Sequence, residues 1–374
     1  MPDAPPASAA LEDAHPAVLP VSEHPLFQAH PALRGSIPHR ALGTFPTPVE
    51  RASDLGNRLG IASLWVKRDD WSGTQYGGGK VRKLEHCLAE AIEKRARVVV
   101  TFGGVGSNHA VATAIYAKQL GLHAVLVLLP EPADERVREH LLAMIHFGAE
   151  IRVAPKRGGA EAIARRIERD RAEPVHVIPA GGSSVLGNIG FVNAAFELAE
   201  QVRRGEMPEP DVVYMAMGTM GSVVGLAIGL RAAGLATRVV AVRASSPGTS
   251  SESRMMAMAG ETEGHLRRLD PSFPEVGIRS GDISIDARQL GAGYGQSTRK
   301  GGSAIAMGRD HAGIELEPVY TGKALAALIE EAPSLSRKVV LFWHSHNARK
   351  LVLGAADPAS LPPELHGYFG GTRR

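Results

Sequence analysis

The sequence predicts an α/β fold of two lobes, each an open, twisted, mostly parallel sheet flanked by helices. Three observations predict it. Short β-branched runs alternate with helical patterns from residue 97 onward. Those strand runs are continuously apolar, as expected when helices cover both faces of a sheet. At 374 residues, the chain also exceeds what one small core accommodates.

The elements follow in order. Strand 97–102 ("RVVVTF") leads to helix 108–121 and strand 123–129 ("HAVLVLL"). Helix 134–148, closed by Gly148, precedes strand 150–154, helix 159–170 and strand 175–179. A second set begins near Asn188 with helix 190–205 and strand 211–217 ("DVVYMAM"). A glycine loop, a helix through Ala232 and strand 238–244 complete it. From about Ser245 to Met307 the pattern loosens into Gly, Ser, Arg and Met. Regular elements return with helix 322–333 and strand 338–344.

Composition narrows the function classes. With 44% hydrophobic and 22% charged residues, the chain reads as an ordinary globular enzyme. Its net charge of +3 is spread along the sequence, so neither nucleic acid nor an anionic membrane is the expected partner. The one cysteine, Cys87, rules out an intrachain disulfide and fits a reducing, cytoplasmic setting. Residues 1–33 carry no Lys or Arg and resemble neither a secretory nor a mitochondrial leader; they read as a flexible N-terminal arm. Residues 212–230 are uncharged and long enough to span a bilayer. Their centre, "MGTMGS", breaks into strand, loop and helix instead.

Three stretches carry chemistry. In "YGGGKVRKLE", residues 76–85, three glycines precede Lys80. A nucleotide phosphate loop would need glycine at Thr74 and a hydroxyl at Val81, so that reading fails. Glycines here let the backbone pass close to a flat or anionic ligand; a solvated lysine after a flexible turn is the alternative. In "TFGGVGSNHA", residues 101–110, Ser107, Asn108 and His109 open a helix, where hydroxyl, amide and N–H groups suit a carboxylate. A plain helix cap by Ser107 or Asn108 is the alternative. In "GTMGS", residues 218–222, backbone N–H groups and the Thr219 and Ser222 hydroxyls would make a phosphate cup. A reactive lysine, a carboxylate cradle and a phosphate cup together suit pyridoxal 5'-phosphate acting on amino acids.

Five segments carry a resemblance: "VKRDDWSGTQYGGGKVRKLEHCLAEA", "TFGGVGSNHAVATAIYAKQLGL", "GNIGFVNAAFELAEQ", "GAGYGQST" and "EPVYTGKALAAL". In this order, from about residue 34 to 350, the chain resembles the D-cysteine desulfhydrase and 1-aminocyclopropane-1-carboxylate deaminase family. These are tryptophan-synthase-β-like, fold type II pyridoxal phosphate enzymes.

The resemblance implies a large cofactor-binding domain from 34–83 plus 183–374, and a small domain over 84–182 that carries the carboxylate loop. Lys80 would hold the cofactor as a Schiff base. Lys83 and the loop Gly218, Thr219, Met220, Gly221 and Ser222 would hold its phosphate, and Ser345 its pyridine nitrogen. Ser107, Asn108 and His109 would take the substrate carboxylate. Ser107 also joins Lys80, Tyr294 and Tyr320 as a candidate catalytic group. Thr321 and His346 would face the substrate. A threonine after Tyr320, where cyclopropane-cleaving members carry glutamate, favours the desulfhydrase side. A homodimer and a small amino-acid substrate are implied as well.

Departures from the family pattern bear on the substrate. The asparagine of "GGNK" is Gly79, Met220 replaces a loop glycine, and "HTGG" reads "HSHN". His346 and Asn347 therefore stand where glycines would line the pocket. His344 and His346 lack a third partner at metal-binding spacing, so no metal is expected. The leading expectation is β-elimination to a keto acid and ammonia. β-Replacement, racemisation and a non-catalytic ligand-binding relative are the other readings.

Overall fold

A computed structural model describes residues 24–155, 157–279, 281–354 and 356–370. In chain order it has α1 (Pro25–Ala29), β1 (Val49–Arg51), α2 (Ser53–Leu59), β2 (Ser63–Lys67), α3 (Lys80–Glu93), β3 (Val98–Gly104), α4 (Asn108–Gln119) and β4 (His123–Leu129). It continues with α5 (Glu135–His146), β5 (Glu150–Val153), α6 (Arg157–Asp170), β6 (Val175–Val177), α7 (Val185–Arg203), β7 (Val212–Met217) and α8 (Gly221–Ala232). Last come β8 (Arg238–Arg243), α9 (Glu252–Leu269), β9 (Ile283–Asp286), α10 (Arg299–Ala312), α11 (Thr321–Glu331) and β10 (Val339–Trp343).

Two sheets result. One has six strands in the order β1-β2-β10-β7-β8-β9, the other four in the order β5-β4-β3-β6. Only the β1–β2 pair is antiparallel among the described strands. Within the smaller sheet, β3 and β4 pair from Val98 with His123 to Gly104 with Leu129. Their apolar side chains are buried on both faces, in two separate clusters, which explains why the sequence shows runs rather than alternation.

Helix α7 is buried almost throughout because α1, α3, α8 and α9 all pack on it. Close approach needs small residues at the crossings. A Cβ at Gly190 would lie 2.0 Å from the Arg82 carbonyl of α3, and one at Gly225 2.1 Å from the Asn188 carbonyl. Beneath α3, Arg82 is buried and forked between two carboxylates. Its Nη2 lies 2.7 Å from Asp69 Oδ1, and its Nη1 2.9 Å from Glu197 Oε2. Lys67 Nζ meets Glu197 at 2.6 Å, and Trp343 Nε1 donates to Asp69 at 2.8 Å. This network ties the start of α3 to β2, α7 and β10.

Several elements differ from the sequence expectation. The expected arm over 1–33 becomes, from His24, a short helix whose Leu26 and Phe27 are buried; residues 1–23 lie outside the described part. The amide of Leu26 donates to Asn193 Oδ1 at 3.0 Å, which anchors the segment on α7. The loosened region holds α9 and β9, and α10 begins within it. Ser251 and Thr298 cap the two helices, and the interspersed Gly, Ser and Arg blur their periodicity. The C-terminal tail, expected with the large domain, packs Leu361 and Leu365 into the cluster built on β3, β4 and α4. No helix among the described residues is long and apolar enough to cross a membrane.

Candidate active site

A cavity of about 540 Å³ opens between the lobes. It is lined from the C-terminal ends of β3, β7 and β10, where parallel sheets leave a crevice for ligands. Lys80, Ser107, Asn108, His109, Gly218 to Ser222, Tyr294, Tyr320, Thr321, Ser345 and His346 all line it. Residues widely separated in sequence therefore meet on one wall system.

Lys80 is the first residue of α3. The glycines before it thread a narrow passage. A Cβ at Gly77 would sit 2.0 Å from the Asp70 carbonyl, and Gly78 has φ +92 with the Ser345 carbonyl 2.7 Å from its absent Cβ. Gly79 N donates to the Ser345 carbonyl at 3.0 Å. The glycine at 79 has its own cause: Phe191 Cζ lies 2.8 Å from where a Cβ would be. Burial lowers the Lys80 amine to about 8.

Lys83, one turn further on, is buried and donates to Ser183 Oγ at 2.8 Å. Ser183 Oγ also lies 2.7 Å from Thr219 Oγ1 and accepts from Gly221 N. A Cβ at Gly221 would meet Lys83 Nζ at 2.8 Å, so the loop is closed tightly over the amine. Met220 keeps the left-handed backbone that glycine adopts freely, at φ +69. Its buried side chain in the large-lobe core offsets that strain.

Burial and the neighbouring Lys80 hold Lys83 well below the ordinary lysine range. Neither lysine forms an ion pair among the described residues. Two buried amines without a counter-anion there, beside the N-terminus of α8, fit an anionic phosphate group. The residues present therefore suit pyridoxal phosphate: Lys83, Thr219, Ser222 and the first N–H groups of α8 would hold its phosphate.

At the other lobe, Ser107 caps α4, its Oγ accepting from Ala110 N at 3.2 Å. Asn108 Oδ1 accepts from the Tyr76 hydroxyl at 3.0 Å. His109 is a neutral acceptor on its free side. Thr101 Oγ1 donates to the Ile178 carbonyl, so it must accept from His109 Nε2–H at 2.9 Å. The His109 Nδ1 is buried and has no hydrogen-bond partner among the described residues. Burial, then Lys80 and Lys83, holds this ring far below the usual histidine range. A bare acceptor repels a carboxylate, so the expected role of the His109 side chain does not fit, and the first-turn N–H groups of α4 remain for it.

Tyr320 donates to the Tyr294 hydroxyl at 2.9 Å. Glu317 fixes this corner: its carboxylate accepts from Val319, Tyr320 and Thr321 N at 2.7–2.8 Å. The Thr321 hydroxyl accepts from Glu317 N at 3.1 Å and donates to the Glu317 carboxylate. It is thus committed to the backbone corner rather than to a substrate. The two polar residues of "HSHN" also divide. His346 lines the cavity, with a buried Nδ1 unpartnered among the described residues and a pKa lowered by burial. Asn347 instead holds the glycine loop, accepting from Gly77 N at 2.6 Å and donating to the Arg349 carbonyl at 2.7 Å.

Sequence reasoning missed Ser183, Glu317 and Glu131, all on the cavity wall. Ser183 stands in "GGSS" just before α7, a hydroxyl beside glycines that could have been flagged; the two glutamates carry no local signal. Among the described residues, no group of three or more His, Cys, Asp or Glu is arranged to hold a metal.

Comparison with known proteins agrees with this geometry. The sequence profile of the family described as pyridoxal-phosphate dependent enzyme matches residues 41–346. A Pyrococcus furiosus protein named for 1-aminocyclopropane-1-carboxylate deaminase is 33% identical over 331 residues, 86% of this chain and 94% of that protein. The D-cysteine desulfhydrase of Salmonella newport is 32% identical over 321 residues, covering 82% and 93%. Among solved structures, an ACC deaminase homologue superposes with TM-score 0.73 at 30% identity, covering 84% of this chain and 93% of that one. A T.th. threonine deaminase, at 21% identity and TM-score 0.59 over 88% and 99%, shares the fold.

Proposed function

The chain belongs to the pyridoxal-phosphate-dependent enzyme family, and from that premise we propose a lyase or deaminase of small amino acids that releases a keto acid and ammonia. The observation that carries the reading is a pair of buried amines without a carboxylate partner among the described residues: Lys80 on the cavity wall, and Lys83 behind it, bonded to Ser183 of that wall.

Bound pyridoxal phosphate supplies an electron sink for charge developing at the substrate Cα. The protein does the rest. Lys80, lowered to about 8 by burial, can take and return a Cα proton near neutral pH. The N-terminus of α4, with Ser107 and Asn108, holds the substrate carboxylate. Tyr294 and Tyr320 face the leaving group, and Ser345 serves the pyridine nitrogen without enforcing its protonation. Residues 34–83 with 183 to about 350 form the large domain of this reading and 84–182 the small one, to which the tail beyond β10 also attaches. A cytoplasmic homodimer completes the proposal.

D-cysteine desulfhydrase-like action is supported by the threonine at 321 and the curated relatives. Product analysis on D- and L-amino acids tests it. Keto acid and ammonia in equal amounts are expected. A new amino acid would mean replacement, and an inverted one racemisation.

A further inference from the structure

Tyr76 stands in the glycine loop shortly before Lys80 and is only 1% exposed. Helix α4 grips it at both ends. Its main-chain carbonyl accepts from the Tyr116 hydroxyl, well along that helix, and its own hydroxyl donates to Oδ1 of Asn108, the first residue of the helix, at 3.0 Å. The grip leaves no spare room: a Cβ at Gly73 would collide with both the Tyr76 carbonyl and the Tyr116 hydroxyl. From the large lobe, Asn347 Oδ1 accepts from Gly77 N at 2.6 Å and pins the next residue. Tyr76 thus ties the loop that carries Lys80 to the helix end that Asn108 opens.

The direction of the hydroxyl bond sets the Asn108 amide. Neither the Tyr76 hydroxyl nor the Asn108 side chain has a second hydrogen bond among the described residues. Burial, with Glu317 adding to it, raises this phenol far above the usual tyrosine range, so it keeps its proton. A buried donor left unpaired is costly. A reversed amide would donate to the phenol oxygen and strand the phenol proton without an acceptor. With Oδ1 turned to Tyr76, both hydrogens of Nδ2 are left for the cavity that Asn108 lines.

We propose that Tyr76 is a positioning residue for the substrate carboxylate: its bond to Oδ1 holds the Asn108 amide with Nδ2–H toward the cavity, where it joins the first-turn N–H groups of α4. This rests on the amino-acid lyase reading and deepens its carboxylate site. Alanine and ethylamine differ by that carboxylate and serve as probes.

The experiment titrates wild-type, Tyr76→Phe, Asn108→Ala and doubly substituted holoenzymes with both enantiomers of alanine and with ethylamine. Binding is read from the visible absorbance change. A folding defect is excluded by requiring Tyr76→Phe to retain the melting temperature and unliganded absorbance of wild type; Tyr76→Leu, which also lacks the hydroxyl, replaces it otherwise. Affinity for the better-bound alanine enantiomer should fall about three- to tenfold in Tyr76→Phe, the worth of one hydrogen bond, while ethylamine changes less than about twofold. In the Asn108→Ala background, removing the hydroxyl should cost nothing further, because Tyr76 acts through that amide. Equal weakening of alanine and ethylamine, an unchanged alanine affinity, or a full additional loss in the Asn108→Ala background overturns the proposal. Wild-type holoenzyme whose absorbance responds to neither alanine enantiomer overturns the lyase reading instead.

Discussion

Lys83 Nζ lies 2.8 Å from Ser183 Oγ, a neutral partner, and meets no carboxylate among the described residues. Burial alone makes such a charge costly, and Lys80 nearby adds to the cost. Lys83→Met should therefore leave the cofactor-free protein at least as stable as wild type. Cofactor affinity should fall about 10- to 100-fold, matching the loss of one charge-assisted hydrogen bond. Absorbance titration with pyridoxal phosphate and thermal melting measure the two. A loss of stability with unchanged affinity would make Lys83 structural.

Lys80 predicts a pH dependence for cofactor loading. Only the unprotonated amine is nucleophilic, and burial lowers this one to about 8. The rate of reconstitution from cofactor-free protein should climb from about pH 6 and level off above about 8. An ordinary lysine would keep climbing toward about pH 10.

Arg82 is the hinge of the buried network. Arg82→Met would strand Asp69 and Glu197 without their partner, at a cost of about 3–5 kcal/mol, read as a lowered denaturation midpoint. Acid should act on the same network. Burial pushes the Glu197 carboxyl up, but the charges and hydrogen bonds of Arg82 and Lys67 outweigh it and hold it at about 2. A depressed folded value contributes stability above the unfolded carboxylate range and loses it as pH falls. Stability should thus decline between about pH 5 and about pH 2, and Glu197→Gln should flatten that part of the curve.

Gly79 is explained by packing. Gly79→Asn, the residue of the family pattern, would press on Phe191, whose Cζ is 2.8 Å from the added Cβ. The expected loss is about 1–3 kcal/mol, with Phe191→Leu in the same chain recovering part of it. Denaturant unfolding of the single and double variants checks this. Additive losses would exclude the contact.

The sequence was most legible where chemistry is local. The strand–glycine–helix units at residues 101–110 and 212–232 lie where their patterns put them, and their loops meet in one cavity. What stayed hidden depends on contacts distant in sequence. Thr321 looks like a substrate ligand in "VYTG" until Glu317 is seen to engage its hydroxyl. Asn347 looks like a pocket residue until it is found holding Gly77, 270 residues away. Glu131 is an unremarkable acid in "LPEPAD" until it is seen on the cavity wall, packed against Gly104 and Gly295. Helix α9 was lost because its apolar positions are mixed with Gly, Ser and Arg on a half-exposed face.

The most direct test compares wild type with Lys80→Ala for visible cofactor absorbance and for keto-acid release across D- and L-amino acids. The expected result is a yellow wild-type protein that releases keto acid and ammonia from at least one small amino acid, and a variant that has lost both properties. A Lys80→Ala protein with full absorbance and turnover would contradict it.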